Sequence, residues 1–100
     1  INRDLPELFA PLGMLYLENG DIAGAENYLV KAETAEKAGA EIEFLRGMIY
    51  FKRNENASAL AAFEKSIKLD PNFAEAHYYR AAIFDRLKRD TEAVASYGEA

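Results

Sequence analysis

Cysteine is absent from the 100-residue sequence, and histidine occurs only once. Without cysteine the chain has neither a disulfide framework nor a thiolate metal site. The net charge of −5 argues against binding of duplex nucleic acid, which needs clustered Lys and Arg to displace counterions. The longest nearly continuous apolar run, Leu8 to Leu17, is too short to span a bilayer. We therefore predict no nucleic-acid partner and no membrane span.

The composition is that of one small folded domain. Half of the residues are hydrophobic and 29% are charged, which is too apolar for a disordered chain. The acidic excess lies in residues 1–50, where nine acids face four bases, whereas residues 51–100 hold eight of each. A partner with a basic stretch near the first half is therefore expected. The sequence does not determine the cellular compartment, although a soluble, cytoplasmic protein is slightly favoured. Because the sequence starts at Ile1 and not at Met, a fragment of a longer chain is expected.

A repeat with a constant offset of 34, as from Gly13 to Gly47, runs through the sequence without gaps. Small and large residues three or four positions apart share one face of a helix. The small residue lets a neighbouring helix approach closely, and the large one fills the space beside it. The pattern therefore predicts tandem antiparallel helix pairs. Five columns recur at this offset: Gly13, Gly47 and Ala81; Tyr16, Tyr50 and Phe84; Ala25, Ala59 and Ala93; Leu29, Phe63 and Tyr97; and Ala32, Ser66 and Ala100.

Turn signals separate the helices. Within the pairs they are Asn19-Gly20-Asp21, Asn54-Glu55-Asn56 and Lys88-Arg89-Asp90, with Asp21 and Asp90 as helix caps. The third signal is weaker, because Lys88 is a poor residue for a left-handed conformation. Between pairs they are Lys37-Ala38-Gly39, in which Gly39 ends a helix, and Asp70-Pro71-Asn72. The spacing predicts helices near 7–19, 22–36, 41–53, 57–69, 75–87 and 91–100.

The unit has a small residue and then an aromatic in its first helix, and Ala early in its second helix. The second copy ends its second helix with Leu69-Asp70-Pro71-Asn72. In these features the unit resembles the tetratricopeptide repeat (TPR). The resemblance implies an all-α, right-handed α-solenoid of antiparallel helix pairs. It would be a single domain over 1–100, with repeats at 6–39, 40–73 and 74–100, the last incomplete. The family's frequent first-helix Trp is replaced by Phe9, Glu43 and His77, and the Leu that follows it is kept as Leu12 but becomes Arg46 and Arg80. Pro11 should bend or delay the first helix.

The sequence has no set of residues at a spacing that suits a catalytic or metal site. His77 would need Glu75 or Asp85 to hold a metal, and spacings of two and eight residues do not align well on a helix. Ser58 and Ser66 have no histidine at a spacing that suits a nucleophile and its base. The glycines are too scattered to form a phosphate-binding loop. We therefore predict a protein that is not an enzyme and holds no metal or cofactor.

The inner face of the first helix of each pair is the candidate functional surface, since these helices line a concave groove in a solenoid. TPR modules that bind a terminal carboxylate use Lys, Arg and Asn on this face. This carboxylate-binding subtype is not expected, because the matching positions hold Ala10, Met14, Met48, Glu75 and Tyr79. What remains is apolar, aromatic and Met-containing, which suits an amphipathic helix or an extended apolar peptide. By the resemblance, the groove residues are Met14, Leu17, Phe44, Leu45, Met48, Phe51, Tyr78, Tyr79, Ala82 and Arg86.

Three interpretations of function stay open. The first is a protein-interaction module, scaffold or chaperone-like, that binds a peptide or amphipathic helix in the apolar groove, although the same residues could simply pack between repeats or under other segments. The second is a structural, self-assembling solenoid that forms homo-oligomers through uncapped ends, because the first helix is apolar all round. The third is a regulatory domain attached to a catalytic domain.

Overall fold

The computed structural model describes residues 5–35 and 39–99, with side chains through residue 89. Within these residues all regular structure is helical, which confirms the prediction of an all-α helical-repeat solenoid. A short 3-10 turn, Pro6–Leu8, precedes the first helix. The α-helices are α1 (Phe9–Glu18), α2 (Ile22–Ala35), α3 (Ala40–Lys52), α4 (Asn56–Leu69) and α5 (Ala74–Glu99). Lys37 and Ala38 of the first turn between pairs lie outside the described residues.

Pro11 delays the first helix, as its position predicted. The α-helix begins at Phe9, so that Pro11 lies in its first turn. Backbone N–H groups of a first turn have no partner within the helix, and a proline there costs no hydrogen bond. The chain before it forms the 3-10 turn, in which the Leu8 N–H donates to Leu5 O at 3.0 Å.

The turns inside the first two pairs each have one residue with left-handed backbone, and it stands at the same position of the repeat in both. Gly20 has φ of 84° and Asn54, at the same place in the next repeat, has φ of 61°. Asp21 caps α2, since its Oδ1 accepts the Gly24 N–H at 2.8 Å. Both turns were predicted and are confirmed.

The third predicted turn, at Lys88-Arg89-Asp90, is wrong. Helix α5 continues through it to Glu99, so that 75–87 and 91–100 are not separate helices. Position 88 is in register with Gly20 and Asn54, but lysine pays a steric penalty in the left-handed region that glycine and asparagine largely avoid. Lys and Arg are also good helix formers, and Arg89 pairs with Asp85 one turn earlier at 3.1 Å.

Gly39 was expected to end the second helix, and the structure places it at the start of the third. It is the N-cap residue of α3, with extended backbone, and its carbonyl accepts the Glu43 N–H at 3.1 Å. At the next junction the prediction is confirmed: α4 ends at Leu69, and Asp70 Oδ1 accepts the Asn72 N–H at 3.1 Å.

Helices α1 and α2 pack against each other, as do α3 and α4. Glycine permits close contacts both between and within pairs. A Cβ at Gly13 would lie 2.6 Å from Cδ2 of Leu45 on α3, across the junction of the first two pairs, and one at Gly47 would lie 2.6 Å from Cε1 of Phe63 on α4, within the second pair. The small-residue columns therefore act as the sequence predicted, by letting helices meet over large apolar side chains.

The core runs continuously through the helix pairs and includes the fully buried Leu45, Phe63 and Ile83. Ser66 is the polar member of this core, and its hydroxyl donates to Ala40 O at 2.8 Å. That bond satisfies a buried hydroxyl and joins α4 to the start of α3.

Arg46, where the family usually has Leu, links the first two pairs. Its Nη2 lies 2.7 Å from Glu33 Oε2 on α2, and its Nε lies 3.1 Å from Glu43 Oε1 on α3. Partial burial lowers the pKa of Arg46, but the hydrogen bonds and charges of Glu33 and Glu43 outweigh burial and raise it above its ordinary value. Arg53 and Glu26 form a further pair between the same two repeats.

Candidate functional site

A concave surface runs along the first helices of the three repeats, α1, α3 and the start of α5. Two adjoining clefts of about 380 and 370 Å³ form it, and both are lined by Ala10, Glu41 and Phe73. We call the second cleft the groove. Its lining is Ala10, Pro11, Met14, Glu18, Glu41, Phe44, Phe73, Glu75 and Tyr79.

The floor of the groove is aromatic. The ring of Phe44 on α3 lies 5.0 Å from that of Phe73 and 5.9 Å from that of Tyr79, measured between centroids. Phe73 is in the connection before α5, and Tyr79 is on α5. Met14 of α1 is partly buried and completes the floor on the other side. These rings form an apolar surface that the core behind them holds in fixed positions.

The rim of the groove is acidic. Glu18, Glu41 and Glu75 line it and are exposed, and Glu7 lines the adjoining cleft. No Lys or Arg is among the described lining residues of the two clefts. Glu7, Glu41 and Glu75 recur one repeat apart, each in the first turn of its helix. A carboxylate there interacts favourably with the helix dipole, and in this solenoid the column also gives the groove one sign of charge.

Family models locate this architecture among known proteins. One, described as a TPR repeat, matches residues 47–88, and another, described as a tetratricopeptide repeat, matches residues 7–38. The chain belongs to the tetratricopeptide-repeat family. TPR repeats are generally modules of protein–protein interaction. No curated protein matched the chain.

This TPR chain brings three of the ten predicted groove residues together, namely Met14, Phe44 and Tyr79. Three others are core residues, since Leu17, Leu45 and Met48 are 2%, 0% and 4% exposed. Phe44 itself is 7% exposed, so that its ring contributes little surface to the groove. A helix inside a solenoid has neighbours on several sides, and its apolar residues divide between those neighbours and the groove.

The remaining four predicted residues lie outside the lining of the groove. Tyr78 is 68% exposed and meets the ring of Tyr79 edge-on at 5.1 Å. Ala82 is partly buried. Phe51 and Arg86 are engaged with each other, because the Arg86 guanidinium lies 4.0 Å from the centroid of the Phe51 ring.

Arg86 joins α5 to the turn between α3 and α4. Its Nη1 donates to Phe51 O at 3.3 Å and to Asn56 Oδ1 at 3.0 Å. The Phe51 carbonyl belongs to the last turn of α3 and also accepts the Asn54 N–H at 3.1 Å. Arg86 therefore reinforces the end of α3 from the neighbouring repeat, with its Nη1 engaged inside the fold.

The acidic rim was missed by sequence reasoning, although the signal was present. Glu7, Glu41 and Glu75 recur at the same offset as the packing columns. A polar column has no role in helix packing, so the small and large apolar columns do not reveal it. Phe73 and Pro11 had no such signal, because they enter the lining through the connections and the helix start.

His77 has a local role in the TPR fold. Its Nε2 lies 2.8 Å from Pro71 O, and since a carbonyl only accepts, Nε2 carries the proton. Its Nδ1 is then free to accept from Arg80 Nη2 at 3.4 Å. Among the described residues no group of three or more His, Asp or Glu is arranged for a metal ion, and no helix has the length and apolar character to cross a membrane.

Proposed function

We propose that this TPR chain binds a segment of a partner protein that combines apolar residues with Lys or Arg. The observation that carries the proposal is the combination of an aromatic floor, Phe44, Phe73 and Tyr79, with exposed carboxylates on the rim. Large, preformed apolar clefts with a few polar groups are the usual form of ligand sites. A scaffold or chaperone-like role would follow from such capture.

The charges of the rim decide which apolar segments fit. Carboxylates of Glu18, Glu41 and Glu75 lie beside the floor without a described basic residue in the lining. An acidic segment would meet repulsion, whereas a basic one would be steered toward the groove and held in register by its charges. An amphipathic helix presents apolar residues every three or four positions, and an extended peptide presents them every second position. Both remain candidates for the bound form.

The test measures binding of two designed peptides by fluorescence anisotropy. Both place Leu at helical spacing, and the other positions are Lys in one peptide and Glu in the other. We expect the Lys peptide to bind more tightly and to weaken as salt rises, because exposed charges are screened. Equal binding of the two peptides would contradict the proposal.

Charge reversal within the rim makes the test specific to the groove. The double change Glu41→Lys with Glu75→Lys should weaken the Lys peptide roughly tenfold, since each exposed pair contributes up to about 1 kcal/mol. Glu64 is also an exposed acid, on α4 and outside the groove. Glu64→Lys is therefore the matched control for a general effect of net charge, and it should leave binding nearly unchanged.

A second candidate function is end-to-end self-association, which Leu15 favours. Leu15 of α1 is 56% exposed, whereas Ile49, its counterpart one repeat later, is 3% exposed. Ile49 shares a cleft with Leu29 and Val30 of α2. Among the described residues, no α-helix covers the corresponding face of α1. Light scattering of Leu15→Glu tests the idea: the mass of any assembly should fall if this face forms it.

A further inference from the structure

Methionine occurs twice in the chain, once in the groove and once in the core. Met14 and Met48 hold the same column of the repeat, on α1 and α3. Met48 is 4% exposed and belongs to the continuous core, whereas Met14 is partly buried and lines the groove. Since the chain has no cysteine, these two thioethers are its only sulfur atoms. The fold therefore opens one of them to small molecules from solution and encloses the other.

The space in front of Met14 lies between repeats. Its cleft of about 370 Å³ takes its lining from all three: Pro11 comes from α1, Phe44 from α3 and Tyr79 from α5. Met14 also packs against the buried core. The thioether is thus part of a floor that the described helices build among themselves, and a change in its chemistry changes the groove.

We propose that Met14 is a site of reversible oxidation whose sulfoxide weakens binding in the groove; the effect on binding rests on the proposed function. The oxidant is hydrogen peroxide. The Met14 sulfur attacks one peroxide oxygen with a lone pair, and the S–O bond forms as the O–O bond breaks. The proton of the transferred hydroxyl moves to the departing oxygen, so that the products are the sulfoxide and water. Sulfur is oxidised and peroxide is reduced, and methionine sulfoxide reductases reverse the change.

Oxidation makes the floor of the groove polar at one point. A thioether is apolar and adaptable, whereas a sulfoxide carries a polar oxygen that accepts hydrogen bonds. The carboxylates of Glu18 and Glu41 in the same lining only accept, and Tyr79 is the one side chain among the described lining residues that has a donor. An apolar ligand that covers the floor strips water from the new oxygen and offers no donor in exchange, which is unfavourable. The oxidised groove should therefore bind apolar segments less tightly.

Peptide mass mapping after exposure to dilute hydrogen peroxide tests the oxidation without any ligand. Met14 should gain one oxygen atom well before Met48, because susceptibility follows exposure. In urea, which unfolds the chain, the two residues should react at the same rate, so that the difference is a property of the fold. Equal rates in the folded chain, or faster oxidation of Met48, overturn the proposal.

Binding of the Lys peptide before and after peroxide treatment tests the effect on the groove. The oxidised chain should bind roughly tenfold more weakly, and methionine sulfoxide reductase should restore the affinity. Met48→Leu should show the same loss after treatment, whereas the affinity of Met14→Leu, whatever its value, should be the same before and after. Undiminished binding by the oxidised native chain, or an equal loss in Met14→Leu, overturns the effect on binding.

Failure of the proposed function gives a different result. The reduced chain would then bind the Lys and Glu peptides equally before any peroxide is added. The mass mapping would still decide whether Met14 is the site of oxidation, because it needs no peptide.

Discussion

Gly13 and Gly47 occupy one column of the repeat, but a side chain at the two positions would meet different neighbours. At Gly47 a Cβ would lie 2.6 Å from the ring of Phe63, which is rigid and fully buried. At Gly13 it would meet the methyl end of Leu45, which is also fully buried but can adjust by small rotations about its own side-chain bonds. We predict that Gly47→Ala lowers the free energy of unfolding by about 1–3 kcal/mol through overpacking.

Gly13→Ala is the matched control for that change. Both substitutions gain up to about 1 kcal/mol of helix propensity, and only one forces a ring to move. Urea denaturation of the two variants measures the difference. Equal losses of stability at both sites would show that the rigidity of the neighbour does not matter.

Asn54 is the exposed residue with positive φ in the second pair, at 61°. Asn54→Ala should lower the free energy of unfolding by about 1–2 kcal/mol, because a Cβ is unfavourable there without a polar side chain to offset it. Asn54→Gly should be neutral or stabilising. Asn19 is a suitable control in thermal denaturation, since it is also exposed in a turn but has φ of −84°: Asn19→Ala should have less effect.

At the scale of helices, how well each element could be predicted depends on how locally it is encoded. Helices α2, α3 and α4 follow from apolar spacing and turn residues, and their observed bounds lie within one residue of the predicted ones. The third turn was assigned from its place in the repeat, although Lys88 has no tendency toward the conformation that a turn needs there. Local backbone preference prevailed over the repeat pattern, and one long helix formed.

The groove could be predicted only in part for a related physical reason. Periodicity gives the face of a helix that is apolar, but not how that face is shared among neighbouring helices. The groove is lined by Met14, Phe44 and Tyr79, whereas the core buries Leu45 and Met48 of α3. The relative tilt of the helices decides this division, and it arises from packing between repeats that single helices do not encode.

Arg86 acts between elements and provides a prediction at this scale. Arg86→Ala removes two hydrogen bonds, to Phe51 O and Asn56 Oδ1, and the contact with the Phe51 ring. We expect the free energy of unfolding to fall by about 1.5–3 kcal/mol. Arg86→Lys should recover only part of this loss, because lysine lacks the planar donor fork.

The control for Arg86 lies one turn further along α5. Arg89 pairs with Asp85, but its side chain is 77% exposed. Arg89→Ala should therefore cost no more than about 0.5 kcal/mol. Chemical denaturation compares the two variants, and a loss at Arg89 as large as that at Arg86 would contradict the assigned role of Arg86 as a link between repeats.

At the scale of the whole molecule, the chain is long and thin, measuring 58 × 28 × 18 Å. In such a solenoid each repeat is stabilised mainly by its immediate neighbours. A local change should then weaken one junction more than the rest. Phe44 lies at the junction of the second and third repeats: its ring lies 5.7 Å from Phe63 of α4 and 5.9 Å from Tyr79 of α5, and Phe51 and Phe63 also contact Tyr79.

Phe44→Ala should therefore cost about 3–5 kcal/mol, a large part of the total stability of a small domain, and the loss should be uneven along the chain. Amides of residues 74–89 should lose hydrogen-exchange protection first, while those of α1 and α2 keep most of theirs, since the contacts between α1 and α2 do not include Phe44. Tyr78→Ala, at a ring that is 68% exposed on α5, should change neither. Uniform loss of protection across all helices would mean that the repeats unfold as one cooperative unit and that Phe44 supports the whole molecule, not one junction.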